Sequence, residues 1–272
     1  MLAIDVANFL RRAWAVAEKK GAPREAAPTT LRMLARFLRA RQPSHVVLAG
    51  EGTGSIRKAL YPDYKSGRPP KPDGLVACEA YVAQALAGVG LPLIQVGGLE
   101  ADDVLAGASM VATAMGLPAV LVTNDKDVEQ LIDDTVPIVV WDGAERVLDE
   151  AAAAERWGVP SKRVVEVLAI AGDGDEAPGA KGLGPKRAAE ILVAAGRRSL
   201  ANLLADGGSW FVPEKYRAKF IEHRAAIALS YDLVRLRGAE TAARIDLEDH
   251  AAEALAVASA LVESAEWSGR EY

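Results

Sequence analysis

Glu100-Ala-Asp-Asp-Val-Leu-Ala-Gly-Ala-Ser-Met-Val-Ala-Thr-Ala-Met-Gly-Leu-Pro-Ala-Val-Leu-Val-Thr-Asn-Asp-Lys-Asp127 decides the fold. Acidic residues open it, as they open many helices, and the apolar residues of 101–115 then recur at helical spacing. Gly116 and Pro118 stop that helix, and residues 119–123 form a short run that is apolar on both faces. A helix leading into such a strand is the repeating unit of a parallel sheet covered on both sides. Working outward, residues 2–6, 45–49, 91–96 and 136–141 read as further strands, and 24–41, 73–87 and 125–132 as helices. From Glu150 onward strand signals fade into short helices punctuated by Gly and Pro, ending in an Ala-rich helix near 249–263. The expectation is an α/β core over 1–150, with a mostly parallel sheet flanked by helices, and a helical part over 151–272.

Composition narrows the function. Of 272 residues, 50% are apolar and 25% charged, which suits a soluble globular chain rather than a disordered one. Asp5, Arg11 and Arg12 interrupt the first apolar run too early for a signal peptide, and no stretch offers the roughly 20 apolar residues of a membrane helix. A cytoplasmic location is expected. Cys78 is the single cysteine, so neither a disulfide nor a thiolate zinc cluster within the chain is available. His45, His223 and His250 are scattered, and no Gly-x-Ser-x-Gly elbow occurs, which disfavours hydrolysis by a triad.

The net charge of −5 hides a segregated pattern. Acids gather at Glu100/Asp102/Asp103, Asp125/Asp127 and Asp173/Asp175/Glu176, whereas cations gather around Arg57–Lys71 and again from Lys181 to Arg224. Ligands of open α/β sheets sit beyond the carboxyl ends of the strands, where Asp5, the 100–103 acids and Asp125/Asp127 fall. Helix N-caps explain such residues singly. Three strand ends bearing acids, two of them paired, are better explained by a hard divalent cation that relieves their repulsion.

Two segments admit two readings each. Gly179, Gly182 and Gly184 precede a helix beginning at Pro185, followed by Lys186 and Arg187. This is a close backbone approach to phosphate at a helix N-terminus, or merely a tight interhelical turn. It matches neither Walker A nor the dinucleotide fingerprint. Arg57-Lys58 followed by Tyr61-Pro-Asp-Tyr-Lys-Ser-Gly-Arg-Pro-Pro70 interleaves aromatic and cationic groups, as a nucleic-acid contact or a solvated loop would.

Read in order, Leu2-Ala-Ile-Asp5, Tyr64-Lys-Ser-Gly-Arg-Pro-Pro70, Glu100-Ala-Asp-Asp103, Thr123-Asn-Asp-Lys-Asp127 and Gly172-Asp-Gly-Asp-Glu-Ala-Pro-Gly179, with Gly182-Leu-Gly-Pro-Lys186, resemble the 5′-nuclease family. That family comprises flap endonucleases and 5′→3′ exonucleases, including the N-terminal exonuclease domain of bacterial DNA polymerase I and stand-alone phage or bacterial members. The resemblance implies a PIN-like core, a helical arch, and a C-terminal helix-three-turn-helix that holds duplex DNA. It further implies two divalent ions, Mg²⁺ or Mn²⁺, hydrolysing a phosphodiester of DNA with a 5′ flap, nick or free 5′ end, in replication and repair. Carried over, Asp5, Glu100, Asp102 and Asp103 resemble ligands of one ion; Asp125 and Asp127 the bridging and second-site acids; Asp173 and Asp175 the third cluster. Tyr64, Lys65 and Arg68 resemble the residues that contact the scissile nucleotide, Tyr64 by stacking on an unpaired base. Arg57, Gly182, Gly184, Lys186 and Arg187 fall to DNA binding, with a monovalent cation implied at the hairpin. A monomer that engages no membrane is expected.

Two departures from the family pattern carry consequences. The second strand runs Val47-Leu-Ala-Gly-Glu51 where the family usually ends in Asp, so either Glu51, one residue later, substitutes for that Asp or the position is vacant. The third cluster is contracted to Asp173-Gly-Asp175, and the longer Glu176 is the residue that could restore a ligand. These departures support the alternative of a catalytically impaired relative that binds DNA junctions with a defective second metal site.

Overall fold

Asp5 is where the first strand becomes the first helix. The computed structural model describes residues 1–144, 146–205, 207–247 and 254–267. In it β1 (Leu2–Asp5) passes directly into α1 (Val6–Lys19), because the Asp5 carboxylate accepts the Asn8 N–H at 2.8 Å and caps the helix. α2 (Ala26–Arg41) and β2 (Val46–Ala49) follow, then α3 (Ile56–Leu60), α4 (Asp73–Gly88), α5 (Ala101–Met115) and β3 (Ala119–Val122). A 3-10 turn, Lys126–Leu131, leads to β4 (Ile138–Trp141) and β5 (Val147–Leu148). The sheet order is β2-β1-β3-β4-β5, parallel from β2 to β4, with β5 antiparallel at one edge. Parallel pairing brings the carboxyl ends of β1, β2 and β3 to one rim, with Asp5 beside Ala49.

Alternation along the strands explains the two helical layers. Leu2, Ile4, Val46 and Leu48 bury toward Phe9, Leu31 and Phe37 of α1 and α2, while Ala3, Val47 and Leu121 bury toward Val104 and Leu105 of α5. Each fully buried aliphatic side chain contributes on the order of 1.5–3 kcal/mol. α5 begins with a capping box between Glu100 and Asp103 and stops at Gly116, whose φ of 65° suits a residue without Cβ.

The C-terminal half is helical: α6 (Glu150–Trp157), α7 (Val164–Ala171), α8 (Pro185–Ala195), α9 (Leu200–Leu204), α10 (Glu214–Glu222), α11 (Arg224–Val234), α12 (Gly238–Ala242) and α13 (Ala254–Trp267). α7 and α8 lie antiparallel, since Arg163 at the start of α7 donates to the carbonyls of Leu192, Gly196 and Arg198 at the end of α8. α12 lies on α5 so closely that a Cβ on Gly107 would stand 2.2 Å from Thr241 Oγ1. Leu168, Leu192 and Phe220 join the same apolar cluster as Ala3 and Leu121. Among the described residues no helix is long and apolar enough to cross a membrane.

Several boundaries differ from the sequence reading. Residues 91–96 form no strand: only Ile94 bridges to Ala49, and Pro92 has no N–H to give a ladder. α1 and β5 were not anticipated. Residues 125–132 form a 3-10 turn rather than an α-helix. Of the expected helix at 249–263, residues 254–263 belong to α13 and 249–253 lie outside the described residues. The cationic segment from Arg57 to Pro72 folds as most of α3 and a chain of turns leading to α4.

Candidate metal centre and its cationic rim

The carboxyl rim of the sheet concentrates negative charge in a partly dehydrated place. Asp5 is 4% exposed and also accepts from Thr123 Oγ1 at 3.1 Å. Asp125, which follows β3, caps the 3-10 turn by accepting the Asp127 N–H at 2.9 Å. Asp102 projects from the first turn of α5, and Glu51, just past β2, pairs with Arg11 of α1. Two carboxylate oxygens, Asp102 Oδ1 and Asp127 Oδ1, are buried without any hydrogen-bond partner. A buried polar atom left so costs free energy unless a ligand satisfies it.

Titration reflects the same crowding. Burial, then Asp125, Asp5 and Glu51, raise the Asp102 carboxyl well above its usual range. Burial, then Asp125, push Asp127 up to about 7 despite the opposing Lys126, and burial pushes Asp5 up to about 6. Carboxylates held together against repulsion are the donor set of a hard divalent ion, and the two oxygens buried without a hydrogen bond, that of Asp127 with Lys126 3.4 Å away, have lone pairs to give it. The residues present therefore fit such an ion.

The contracted third cluster resolves on its geometry. Gly172 and Gly174 both have positive φ, and the Asp173 N–H closes a turn on the Ala177 carbonyl. This turn sends Asp173 and Glu176 inward, where single oxygens of Asp127, Asp173 and Glu176 lie within 4.8 Å of one another. Asp175 points outward: its side chain is 42% exposed and pairs with Arg68 at 3.0 Å. Asp175 is thus not brought into the cluster, and the longer Glu176 takes the inward position.

The cationic loop sits against these acids. Lys65 Nζ donates to both oxygens of Glu100 at 3.0 and 3.1 Å and lies 3.6 Å from Glu176. Burial works to lower the Lys65 pKa, but Glu100 and Glu176 outweigh it, so the amine is firmly protonated. Lys65 has φ of 53°, an uncommon conformation for a residue with Cβ, and its N–H is held by the Asp175 carbonyl at 2.9 Å. Arg68, exposed, bridges Asp175 and Glu176.

Three of the expected site residues do something else. Tyr64 is 2% exposed and its hydroxyl donates to Glu100 at 3.0 Å, so it anchors the loop and has no free face on which a base could stack. Arg57 is also 2% exposed; its guanidinium grips Asp103 at 2.7 and 2.8 Å and donates to the Leu233 carbonyl, so it offers nothing to a DNA backbone. Asp103 is fully buried, and besides Arg57 it accepts the backbone N–H groups of Glu100 and Arg237. Burial would raise its pKa, but the hydrogen bonds and charge of Arg57 hold it low. With its lone pairs so engaged, Asp103 is a structural anion rather than a ligand.

The turn between α7 and α8 leaves Lys181, Gly182, Gly184, Lys186 and Arg187 exposed around buried Leu183. Gly182 has φ of 87°, and its carbonyl accepts from Arg187 at 2.6 Å. Lys219 of α10 lies over the same turn, 2.6 Å from where a Gly182 Cβ would stand. Sequence reasoning also missed Lys126, which pairs with Asp173 at 2.7 Å, and Arg11, which pairs with Glu51. Lys126 was visible between two aspartates; nothing marked Arg11, because its partner is 40 residues away.

The chain matches the family model described as the 5′-3′ exonuclease N-terminal resolvase-like domain over residues 1–158. It is 32% identical over 240 residues to a flap endonuclease Xni of Shewanella denitrificans, covering 87% of this chain and 92% of that protein. It is 30% identical to a 5′-3′ exonuclease of Aquifex aeolicus, covering 86% and 80%. The fold matches a zinc-bound 5′-exonuclease of bacteriophage T5 with a TM-score of 0.73 at 17% identity, over 97% of this chain and 99% of that one. Acids at the sheet rim, the Lys65 loop and these likenesses agree: the chain belongs to the 5′-nuclease family of metal-dependent enzymes.

Proposed function

We propose that this protein is a structure-specific 5′ nuclease hydrolysing DNA phosphodiesters at 5′ flaps or free 5′ ends, as a cytoplasmic monomer using two divalent ions, Mg²⁺ or Mn²⁺. The observation that carries it is the pair of oxygens on Asp102 and Asp127 buried without a hydrogen bond, the latter with only Lys126 3.4 Å away, beside the Lys65 and Arg68 rim. Asp5, Asp102 and Asp125 would hold one ion, bordered by Glu51 and Glu100, and Asp127, Asp173 and Glu176 the other. Bound there, such ions supply an acidified water and charge neutralisation at the phosphate.

The chain's own residues do the rest. Glu100 holds Lys65 over the site, so a protonated amine faces the negative charge that builds on the phosphate during attack. Arg68 grips Glu176 and Asp175 and can exchange them for a phosphate oxygen. Residues 1–150 serve as the catalytic core. Residues 151–272, a helical subdomain with a helix-three-turn-helix, would hold duplex backbone through Gly182, Gly184, Lys186 and Arg187, with a monovalent cation at the turn. Such backbone contacts carry little sequence preference and weaken with salt. A junction binder without catalysis is not favoured: Glu176 lying with Asp127 and Asp173 supports an intact third cluster despite the contraction.

The test is Asp125→Asn. The variant should bind a flap duplex in Ca²⁺ as wild type does and release no 5′ product in Mg²⁺. Wild-type cleavage by this variant would overturn the assignment.

A further inference from the structure

The surface between α8 and α10 carries cations and exposed aromatic rings that the metal centre does not use. The two helices run in opposite directions, as three contacts between them and the turns that flank them show. Lys219 lies over Gly182; Lys215 and Tyr216 both bond Glu190, at 2.9 and 2.6 Å; and the Arg198 guanidinium lies 3.5 Å from the Phe211 ring centroid. The strip thus begins at the exposed turn around Gly182 and ends on the 3-10 turn Gly208–Phe211. α8 has eleven residues, so that end lies about 16 Å from the turn.

At that far end Trp210 is 73% exposed and Phe211 44%. Burying such rings is the ordinary outcome, and an exposed pair is a candidate contact. Each ring has a guanidinium against it: Arg198 over Phe211, and Arg217 5.0 Å from the Trp210 centroid. Arg217 is held by the carbonyls of Ser209, Trp210 and Val212, so its plane is fixed rather than mobile. Arg197 and Arg198 follow the end of α8, and Lys215 lies midway, so the approach to the rings is cationic. Rings flanked by guanidinium planes, on a cationic path, match an unpaired nucleobase and its phosphates.

We propose that Trp210 and Phe211, with Arg198 and Arg217, form a stacking platform for an unpaired nucleotide at the end of the bound duplex remote from the acidic residues. Remoteness follows from the helix pair: α7 ends beside Asp173, whereas Arg198 is held at the opposite end of α7 by Arg163. About 16 Å corresponds to about five base pairs of rise from the Gly182 turn. The inference rests on the reading of that turn as a duplex-backbone contact.

The test measures anisotropy in Ca²⁺ with duplexes of stepped length, each blunt or carrying four unpaired nucleotides at the remote end. A 2-aminopurine in the extension reports stacking. The extended form should bind about tenfold tighter than the blunt one at a preferred duplex length, the order of one base–aromatic stack, with 2-aminopurine quenched. Trp210→Ala should bring that ratio to one and abolish the quenching, and Trp210→Tyr should restore most of both. Wild type that binds the blunt duplex in Ca²⁺ and cleaves a flap duplex in Mg²⁺, with no gain from the extension, would overturn the platform alone. A gain that survives Trp210→Ala would overturn it too. Failure of wild type to bind any duplex would instead remove the nuclease reading and the platform together.

Discussion

Replacing a candidate ligand should make the metal-free protein more stable. Asp127 is 7% exposed, and its pKa rises from 3.8 to about 7, with burial as the largest cause and Asp125 next. For an acid whose folded pKa is raised, folding disfavours the charged form. The penalty is absent below the unfolded pKa, grows as pH rises, and is complete above about 7. At 1.36 kcal/mol per unit, its ceiling at pH 8 is about 4 kcal/mol. Neighbouring carboxyls relax by taking up protons, so about half that, roughly 2 kcal/mol, is the expected relief in Asp127→Asn. At 2–4 °C per kcal/mol this predicts a Tm in EDTA at pH 8 about 5 °C above wild type, with the gain vanishing near pH 4. Saturating Mg²⁺ should raise wild type more than the variant, because the ion compensates the same repulsion. Differential scanning calorimetry at both pH values decides it. A variant no more stable than wild type in EDTA at pH 8 would refute the claim that these acids are held together against repulsion.

Three further outcomes follow from other contacts. Lys65→Ala should slow single-turnover cleavage by roughly 100-fold while duplex Kd changes less than twofold, because Nζ faces the acids rather than the helical surface. Arg57→Met should cost about 3–5 kcal/mol in urea unfolding by stranding buried Asp103, and Arg57→Met/Asp103→Leu should recover much of it. Glu176→Gln should weaken Mn²⁺ binding at least tenfold by calorimetry, whereas Asp175→Asn, altering an exposed side chain paired with Arg68, should leave it within twofold.

Much of this was legible because it is written in local pattern. The strand of Ala119–Val122 and helix Ala101–Met115 stood where apolar periodicity placed them, and the acids marked the rim because strand ends are short and countable. Pairing between distant segments was not legible. Arg57 and Asp103 are 46 residues apart, and a cation beside Tyr64-Lys65 on paper reads as a DNA contact until the fold buries it. Tyr64 misled in the same way: its hydroxyl finds Glu100, 36 residues on, and the ring goes inside. Residues 91–96 have a strand's composition, yet Pro92 and the turn at Gly97-Gly98 leave only Ile94 to pair. The contraction at Asp173-Gly-Asp175 shows how turn geometry outranks spacing, since two positive-φ glycines decide which acid faces inward.

The most direct measurement is cleavage of a 5′-labelled flap duplex by the purified protein in Mg²⁺, in Mn²⁺ and in EDTA. A metal-dependent 5′ nuclease should release a short labelled 5′ product with either metal and none in EDTA. Tight binding of the flap with no product in either metal would contradict that assignment.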